Sequence, residues 1–280
     1  MNGAGNDFII LDAIHDTIDL NDVSRIARVL CTRHMSIGAD GMMVVVPAEG
    51  KADFRMLFYN SDGTMGEMCG NGARCICRYG YEHGLSGEEQ TIETTAGIVT
   101  GKRIDRINYR IRLNDPSVLE AEKKLDAGGA EYGCAYVELG NPGIPHLVVD
   151  FAPLRNKISG SGARLFELPE DENEKLKVIA RKLRWHPALP KGANVNFYEI
   201  IGEDEIDELT FERGVEDYTY ACGTGTGSVV KILTDKRLVS GKDVKVNVKG
   251  GLLKIDIEDG IYLTGPTNVV AEGTVLDENL

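Results

Sequence analysis

The chain repeats itself, and the repeat limits what it can fold into. Val23, Ile26, Ala27 and Leu30 have the i, i+3, i+4, i+7 spacing of an amphipathic helix over 21–34, with Asn21 or Asp22 as the expected N-cap. Leu176, Ile179, Ala180 and Leu183 repeat that spacing over 173–185. Val23 precedes Cys69 by 46 residues, and Leu176 precedes Cys222 by 46. Cys69 opens Cys-Gly-Asn-Gly-Ala-Arg and Cys222 opens Cys-Gly-Thr-Gly-Thr-Gly, each followed by a helix-like stretch, 71–83 and 225–238. Strand-like runs come next, Thr91–Thr100 and Val244–Ile257, broken at Ala96-Gly97 and Gly250-Gly251 and ending near Pro116 and Pro266. Gly5-Asn6 and Gly140-Asn141 head the two copies, each shortly before an apolar strand, Phe8–Leu11 and Leu147–Val149.

Five features in one order at nearly one spacing argue for internal duplication over chance. The expected fold is α+β: two pseudo-symmetric α/β domains, 1–118 and 119–280, with the C-terminal segment crossing back to the first half. Each is expected to be a curved, mainly antiparallel sheet around a central helix that starts just after its cysteine, with an active site in the cleft between them. The Asp/Gly-rich stretch 126–133 is assigned to the junction.

Composition narrows the function. A net charge of −13 disfavours nucleic acid and anionic membranes as partners. No apolar stretch approaches the roughly 20 residues of a membrane span, and no basic-then-apolar leader opens the chain, so a cytoplasmic protein is expected. The six cysteines are then thiols, most of them small buried hydrophobes. None forms a Cys-x-x-Cys pair, and no metal site is expected. His15, His34, His83 and His186 read as structural or surface residues.

Cys69 and Cys222 stand apart because each precedes a glycine-rich helix start. Unpaired N–H groups and the helix dipole favour a thiolate there, and the same amides can cradle a carboxylate. A lone element of this kind suggests a reactive cysteine or an anion cradle. Two facing elements could place sulfurs on opposite sides of one carbon, the arrangement that removes a proton from one face and supplies one to the other. The Walker lysine and the dinucleotide fingerprint are both missing.

These residues resemble the diaminopimelate epimerase family, within the wider group of proline racemases and the phenazine-biosynthesis fold. The resemblance is carried by Gly-Asn-Asp-Phe (5–8), Gly-Ala-Asp-Gly (38–41), Asn60-Ser-Asp-Gly, Met-Cys-Gly-Asn-Gly-Ala-Arg-Cys (68–75), Gly-Asn-Pro (140–142), Asn194-Val-Asn-Phe, Glu212-Arg-Gly-Val and Ala-Cys-Gly-Thr-Gly (221–225). It implies cofactor-free inversion of LL- to meso-diaminopimelate in lysine biosynthesis, with Cys69 and Cys222 as acid/base pair. It further implies that Gly70, Asn71, Gly223 and Thr224 hold the reacting α-carboxylate. Asn6, Asn60, Asn141, Asn194, Glu212 and Arg213 would recognise the rest of a small amino-acid substrate. A guanidinium suits the distal carboxylate, and amide oxygens suit the ammonium. The resemblance implies a monomer of two α/β halves, and a homodimer is open as its assembly. Family members have His directly after Gly-Asn-Pro, supporting the first cysteine; here Gly143-Ile144-Pro145 intervenes before His146, which keeps an assisting role. Members also begin a few residues earlier, so part of the first strand is expected to be missing or the start mis-assigned.

Two same-fold or other-class readings compete. A racemase for histidine or a broad set of amino acids is motivated by the insertion before His146. A non-catalytic amino-acid-binding protein has no need of two thiols. A cysteine hydrolase is weaker still, since no cysteine pairs with a clear His–Asp/Asn set.

Overall fold

The computed structural model describes residues 1–66, 69–158, 160–276, 278 and 280. Met68, part of the motif around Cys69, lies outside them. The chain divides into two compact units, Met1–Arg112 with Thr264–Leu280, and Leu113–Leu263. The boundary thus falls at 112/113, where the sequence suggested 118/119, and the C-terminal residues belong with the first unit.

The first unit runs β1 (Asn2–Gly3), β2 (Asn6–Asp12), α1 (Val23–Cys31), β3 (Gly41–Val46), β4 (Phe54–Asn60), α2 (Gly70–Glu82), β5 (Glu89–Thr94), β6 (Gly97–Arg103) and β7 (Asn108–Arg112). These strands are neighbours in chain order. The β2/β3 and β4/β5 pairs are parallel and the other pairs antiparallel. The parallel steps are the ones bridged by α1 and α2, because a parallel return needs a crossover. Val23, Ala27, Leu30 and Cys31 give α1 one apolar stripe, which packs on Met42, Val44 and Val46 of β3. Met43 reaches the opposite face, within 3.3 Å of where a Cβ on Gly72 of α2 would lie. Covered on both faces, β3 reads as the unbroken run Gly-Met-Met-Val-Val-Val. Helix α2 is buried nearly all round, the signature of a central helix. The sheet's two ends do not stay open. Thr267 donates its N–H to the Ile107 carbonyl beside β7, and Asn268 exchanges backbone bonds with Asn2 of β1. The returning segment thereby caps both edges. Asp22 occupies the N-cap of α1 as expected, but its carboxylate binds Arg25 and makes no capping bond.

The second unit contains β8 (Pro116–Asp126), β9 (Glu131–Leu139), β10 (Ile144–Asp150), α3 (Ala152–Ile158), a 3-10 turn (Leu165–Glu167), α4 (Glu170–Arg184), β11 (Asn194–Gly202), β12 (Glu205–Phe211), α5 (Gly223–Asp235), β13 (Val244–Val248) and β14 (Gly251–Ile257). Strand β15 (Ile261–Pro266) ends it and hands the chain back to the first unit. Parallel pairs recur at β10/β11 and β12/β13, bridged by α4 and α5. Leu176, Ala180 and Leu183 bury the inner face of α4 against Val195, Phe197, Leu209 and Phe211. Helix α5 is buried nearly all round, like α2. The stretch 126–133 is no junction: Ala127 and Ala130 close the tip of the β8/β9 hairpin inside this unit. No helix among the described residues is long and apolar enough to cross a membrane.

Ladder registers align the two copies residue by residue and correct one expectation. The parallel ladder of the first unit opens with Phe8 opposite Gly41 and closes with Asp12 opposite Val45. That of the second opens with His146 opposite Asn194 and closes with Asp150 opposite Tyr198. Asn6 therefore corresponds to Ile144. Asn141, which the sequence matched to Asn6, lies three residues earlier in an exposed turn before β10.

Candidate active site

Each unit contributes one cysteine at a helix start. Cys69 is the N-cap of α2 and Cys222 the N-cap of α5, both with extended backbone. The Cys69 carbonyl accepts the Ala73 N–H at 2.8 Å, and the Cys222 carbonyl accepts the Thr226 N–H at 2.9 Å. As N-caps, both cysteines put their side chains next to first-turn amides, and the Gly225 N–H points at the Cys222 sulfur. The glycines also serve packing. A Cβ on Gly225 would collide with Asn196 Oδ1 and lie 3.3 Å from Cys222 Cβ.

Around Cys69, Asn71 donates through Nδ2 to Asn6 Oδ1 at 2.6 Å and accepts from Arg74 Nη2 at 2.9 Å. Arg74 is wholly buried, and its Nε finds no partner among the described residues. Burial works against its charge, while the nearby Cys75, Cys69 and Cys77 sulfurs favour it. A buried cation beside Cys69 is what a thiolate there needs. Asn6 also donates to Asp40 Oδ2 at 3.0 Å. Asn60 closes β4 opposite Gly41, and its amide donates to Thr64 Oγ1 at 3.0 Å.

Around Cys222 the surroundings are different. The side chain is buried, and its thiol is pushed well up, by burial first and by the negative charge of Glu212 after it. Hydrogen bonds from Thr224 and the Gly225 N–H oppose that rise. Thr224 Oγ1 lies 3.6 Å from Cys222 Sγ and 3.0 Å from His146 Nε2. His146, fully buried on β10, is pushed down to about 3 by desolvation, helped by the positive Arg213, so the ring is neutral. Its ring nitrogens meet Thr224 and Asn196, on the Cys222 side of the duplication. Asn194 is buried and accepts the Arg213 backbone N–H at 2.7 Å, while the exposed Arg213 guanidinium donates to the Lys191 carbonyl at 3.1 Å. Glu212 sits half-buried where β12 ends.

The first unit thus joins Asn6 and Asn71 at the Cys69–Gly70 helix start and carries Asn60 at the end of β4, and the second gathers Cys222, Gly223, Thr224, His146, Asn194, Glu212 and Arg213. Asn141 joins neither group. Sequence reasoning missed Arg74, Asn196, Glu208, Thr210 and Thr226. The only signal for Asn196, Glu208 and Thr210 was polar residues at alternate strand positions, and Thr226 stands one turn past Cys222 on α5.

The family profile described as diaminopimelate epimerase matches residues 1–108 and 156–270. The chain belongs to the diaminopimelate epimerase family. Relatives named diaminopimelate epimerase include that of Aquifex aeolicus, 35% identical over 100% of this chain and 98% of its own. That of Archaeoglobus fulgidus is 37% identical over 98% of this chain and 94% of its own. Among solved structures the fold is similar to a hydroxyproline epimerase from Agrobacterium vitis, with a TM-score of 0.63 at 17% identity over 99% of this chain and 91% of that one. It is also similar to a phenazine-biosynthesis PhzF-family protein from Enterococcus faecalis, with a TM-score of 0.60 at 14% identity, over 94% and 89%. Members of the diaminopimelate epimerase family are isomerases that work without pyridoxal phosphate. Residues 109–155, which carry β8, β9 and all of β10 with His146, lie outside the profile's two matched ranges.

Proposed function

We propose that this chain converts LL- to meso-diaminopimelate in the cytoplasm, in the route to lysine, with Cys69 and Cys222 exchanging protons with one α-carbon. The observation that supports it is the pair of cysteines, each the N-cap of a buried helix with first-turn amides beside the sulfur. In one direction the Cys69 thiolate takes the α-proton, and the electron pair left on carbon is spread into the α-carboxylate. The Cys222 thiol gives its proton to the opposite face, which leaves Cys69 protonated and Cys222 ionised. The reverse direction exchanges the roles. The upward push on the Cys222 thiol suits it to hold the proton at the start. Amides of Gly70, Asn71, Gly223 and Thr224 are the donors for the charge that develops on the carboxylate. Arg213 is assigned to the distal carboxylate, and Asn60 and Asn194 to the distal ammonium.

A broader racemase remains the second reading, favoured by Ile144 standing where its counterpart is Asn6. The test is incubation of LL-diaminopimelate in D₂O. Deuterium at one α-carbon together with appearance of the meso isomer is expected. Exchange into histidine or other amino acids without exchange into diaminopimelate would overturn the substrate assignment.

A further inference from the structure

Behind Cys222 lies a set of fully or nearly buried polar side chains that the two-thiol scheme does not use: Glu208, Thr226, Thr210, Asn196 and His146. They form one connected chain. Thr226 Oγ1 lies 2.5 Å from Glu208 Oε2 and 3.0 Å from the Cys222 carbonyl. Thr210 Oγ1 lies 3.0 Å from Asn196 Oδ1 and 3.4 Å from Glu208 Oε1. Asn196 Nδ2 lies 2.9 Å from the Leu147 carbonyl and 3.4 Å from His146 Nδ1.

Hydrogen counting gives this chain a direction. The Leu147 carbonyl can only accept, so the Asn196 amide turns its NH₂ toward β10 and its oxygen toward Thr210. His146 Nδ1 then faces a donor and must be the bare nitrogen, which puts the ring proton on Nε2. Nε2–H donates to Thr224 Oγ1, and the Thr224 hydroxyl hydrogen is left for the Cys222 sulfur. On the other branch Thr210 gives its hydrogen to Asn196. Glu208, neutral below about 8 because burial opposes its charge, donates to Thr226, which donates to the Cys222 carbonyl. Both branches end on Cys222, one at its sulfur and one at its backbone.

We propose that Asn196, with Thr210 donating to its oxygen, is the positioning residue that holds His146 as the Nε2–H tautomer and so aims the Thr224 hydroxyl hydrogen at the Cys222 sulfur, while Glu208 and Thr226 hold the Cys222 carbonyl from the other side. The role of Cys222 as acid/base rests on the function proposed above; the direction of the chain does not. The donor matters because burial and the negative Glu212 disfavour a thiolate at Cys222, while the hydrogen bonds from Thr224 and the Gly225 amide favour one. His146 itself faces Arg213 as the nearby charge, which favours its neutral form.

The decisive measurement is made on the whole wild-type chain with ¹⁵N-labelled histidine. His146, identified by its loss in His146→Gln, is expected to show protonated Nε2, bare Nδ1 and no titration between pH 5 and 8. An Nδ1–H tautomer, or protonation near pH 6.5, would overturn the proposal. Iodoacetamide labelling, read separately at each cysteine by peptide mass spectrometry at pH 7, supplies the second test. Asn196→Asp keeps the shape but turns the group facing Nδ1 into an acceptor. The ring proton should move, Nε2 should take the Thr224 hydrogen, and labelling of Cys222 should slow about tenfold, the equivalent of one pK unit. Cys69 should stay within about twofold. Glu208→Met should slow Cys222 labelling severalfold, and Glu208→Gln, still a donor to Thr226, should restore it to within about twofold of wild type. Unchanged Cys222 labelling in both Asn196→Asp and Glu208→Met would sink the proposal. Should inversion survive without either cysteine, the two-thiol reading fails while the tautomer result still decides this one.

Discussion

The two helix starts are alike in backbone and opposite in what stands behind them. Pairing of β3 with β4 sets Met43 opposite Phe58 and Val45 opposite Met56; pairing of β11 with β12 sets Asn196 opposite Thr210 and Tyr198 opposite Glu208. Taken with the parallel ladders, Phe8 corresponds to His146, Met43 to Asn196, Met56 to Glu208 and Phe58 to Thr210. Ala73 and Thr226 each lie four residues past their cysteine. Five stations are thus apolar behind Cys69 and hydrogen-bonding behind Cys222. In the first unit the polar support comes from the helix itself, through buried Arg74 and Asn71. Duplication preserved the position of the sulfur and let its electrostatic support diverge: a cation in one half, a directed chain of neutral donors in the other.

The comparison breaks first at the sulfurs. Replacing either Cys69 or Cys222 by alanine should lower the rate of α-proton inversion by about 10³-fold or more, within the range for removing a positioned acid or base. Equal loss in both variants is expected, and full activity in either would end the symmetry argument.

The next effect belongs to one half only. Glu208 titrates near 8 in the folded protein against an ordinary 4.5. A raised carboxyl pKa means that the folded state binds the proton more tightly, so this contribution to stability is complete below pH 4.5 and is lost as pH rises toward 8. Its full size is on the order of 4–5 kcal/mol. Glu208→Gln should remove most of that dependence in urea unfolding followed from pH 5 to 8.5. His146 acts with opposite sign: its folded value near 3 costs stability as pH falls below about 6.5.

A smaller and equal pair of effects sharpens the likeness. Leu30 and Leu183 are the corresponding inner residues of α1 and α4, and both are buried. Each Leu→Ala change should cost about 2–5 kcal/mol by chemical denaturation, through lost apolar contact and the cavity left behind. A large gap between them would show that the outer helices are not equivalent in packing.

The smallest effect probes the cation. Arg74→Met should slow alkylation of Cys69 a fewfold and leave Cys222 unaffected, whereas Arg74→Lys should fall between. Equal slowing at both sulfurs would remove Arg74 as local support for Cys69.

Much of this architecture was readable from the chain. Helical spacing found α1 and α4, and the cysteine–glycine segments located the starts of α2 and α5 because a helix begins where an extended cap turns into glycine-rich backbone. Tripeptide likeness misled at Gly140-Asn141-Pro142. The letters match, but the strand register begins three residues later, and only the ladder partner of His146 reveals it. The buried chain behind Cys222 was invisible for a similar reason. Glu208 and Thr210 alternate along β12 as solvent-facing residues would, and the pairing with Asn196 across β11 depends on topology. Arg74 reads as an ordinary helix cation until α2 proves to be the core of its unit.

The strand segment that seals the first unit has a consequence for biogenesis. Residues 264–280 are made after the rest of the first unit, and until 267 and 268 emerge the Ile107 carbonyl beside β7 and the backbone of Asn2 in β1 lack these partners. The half translated first is therefore finished last, after all of its neighbour up to Leu263 has been made.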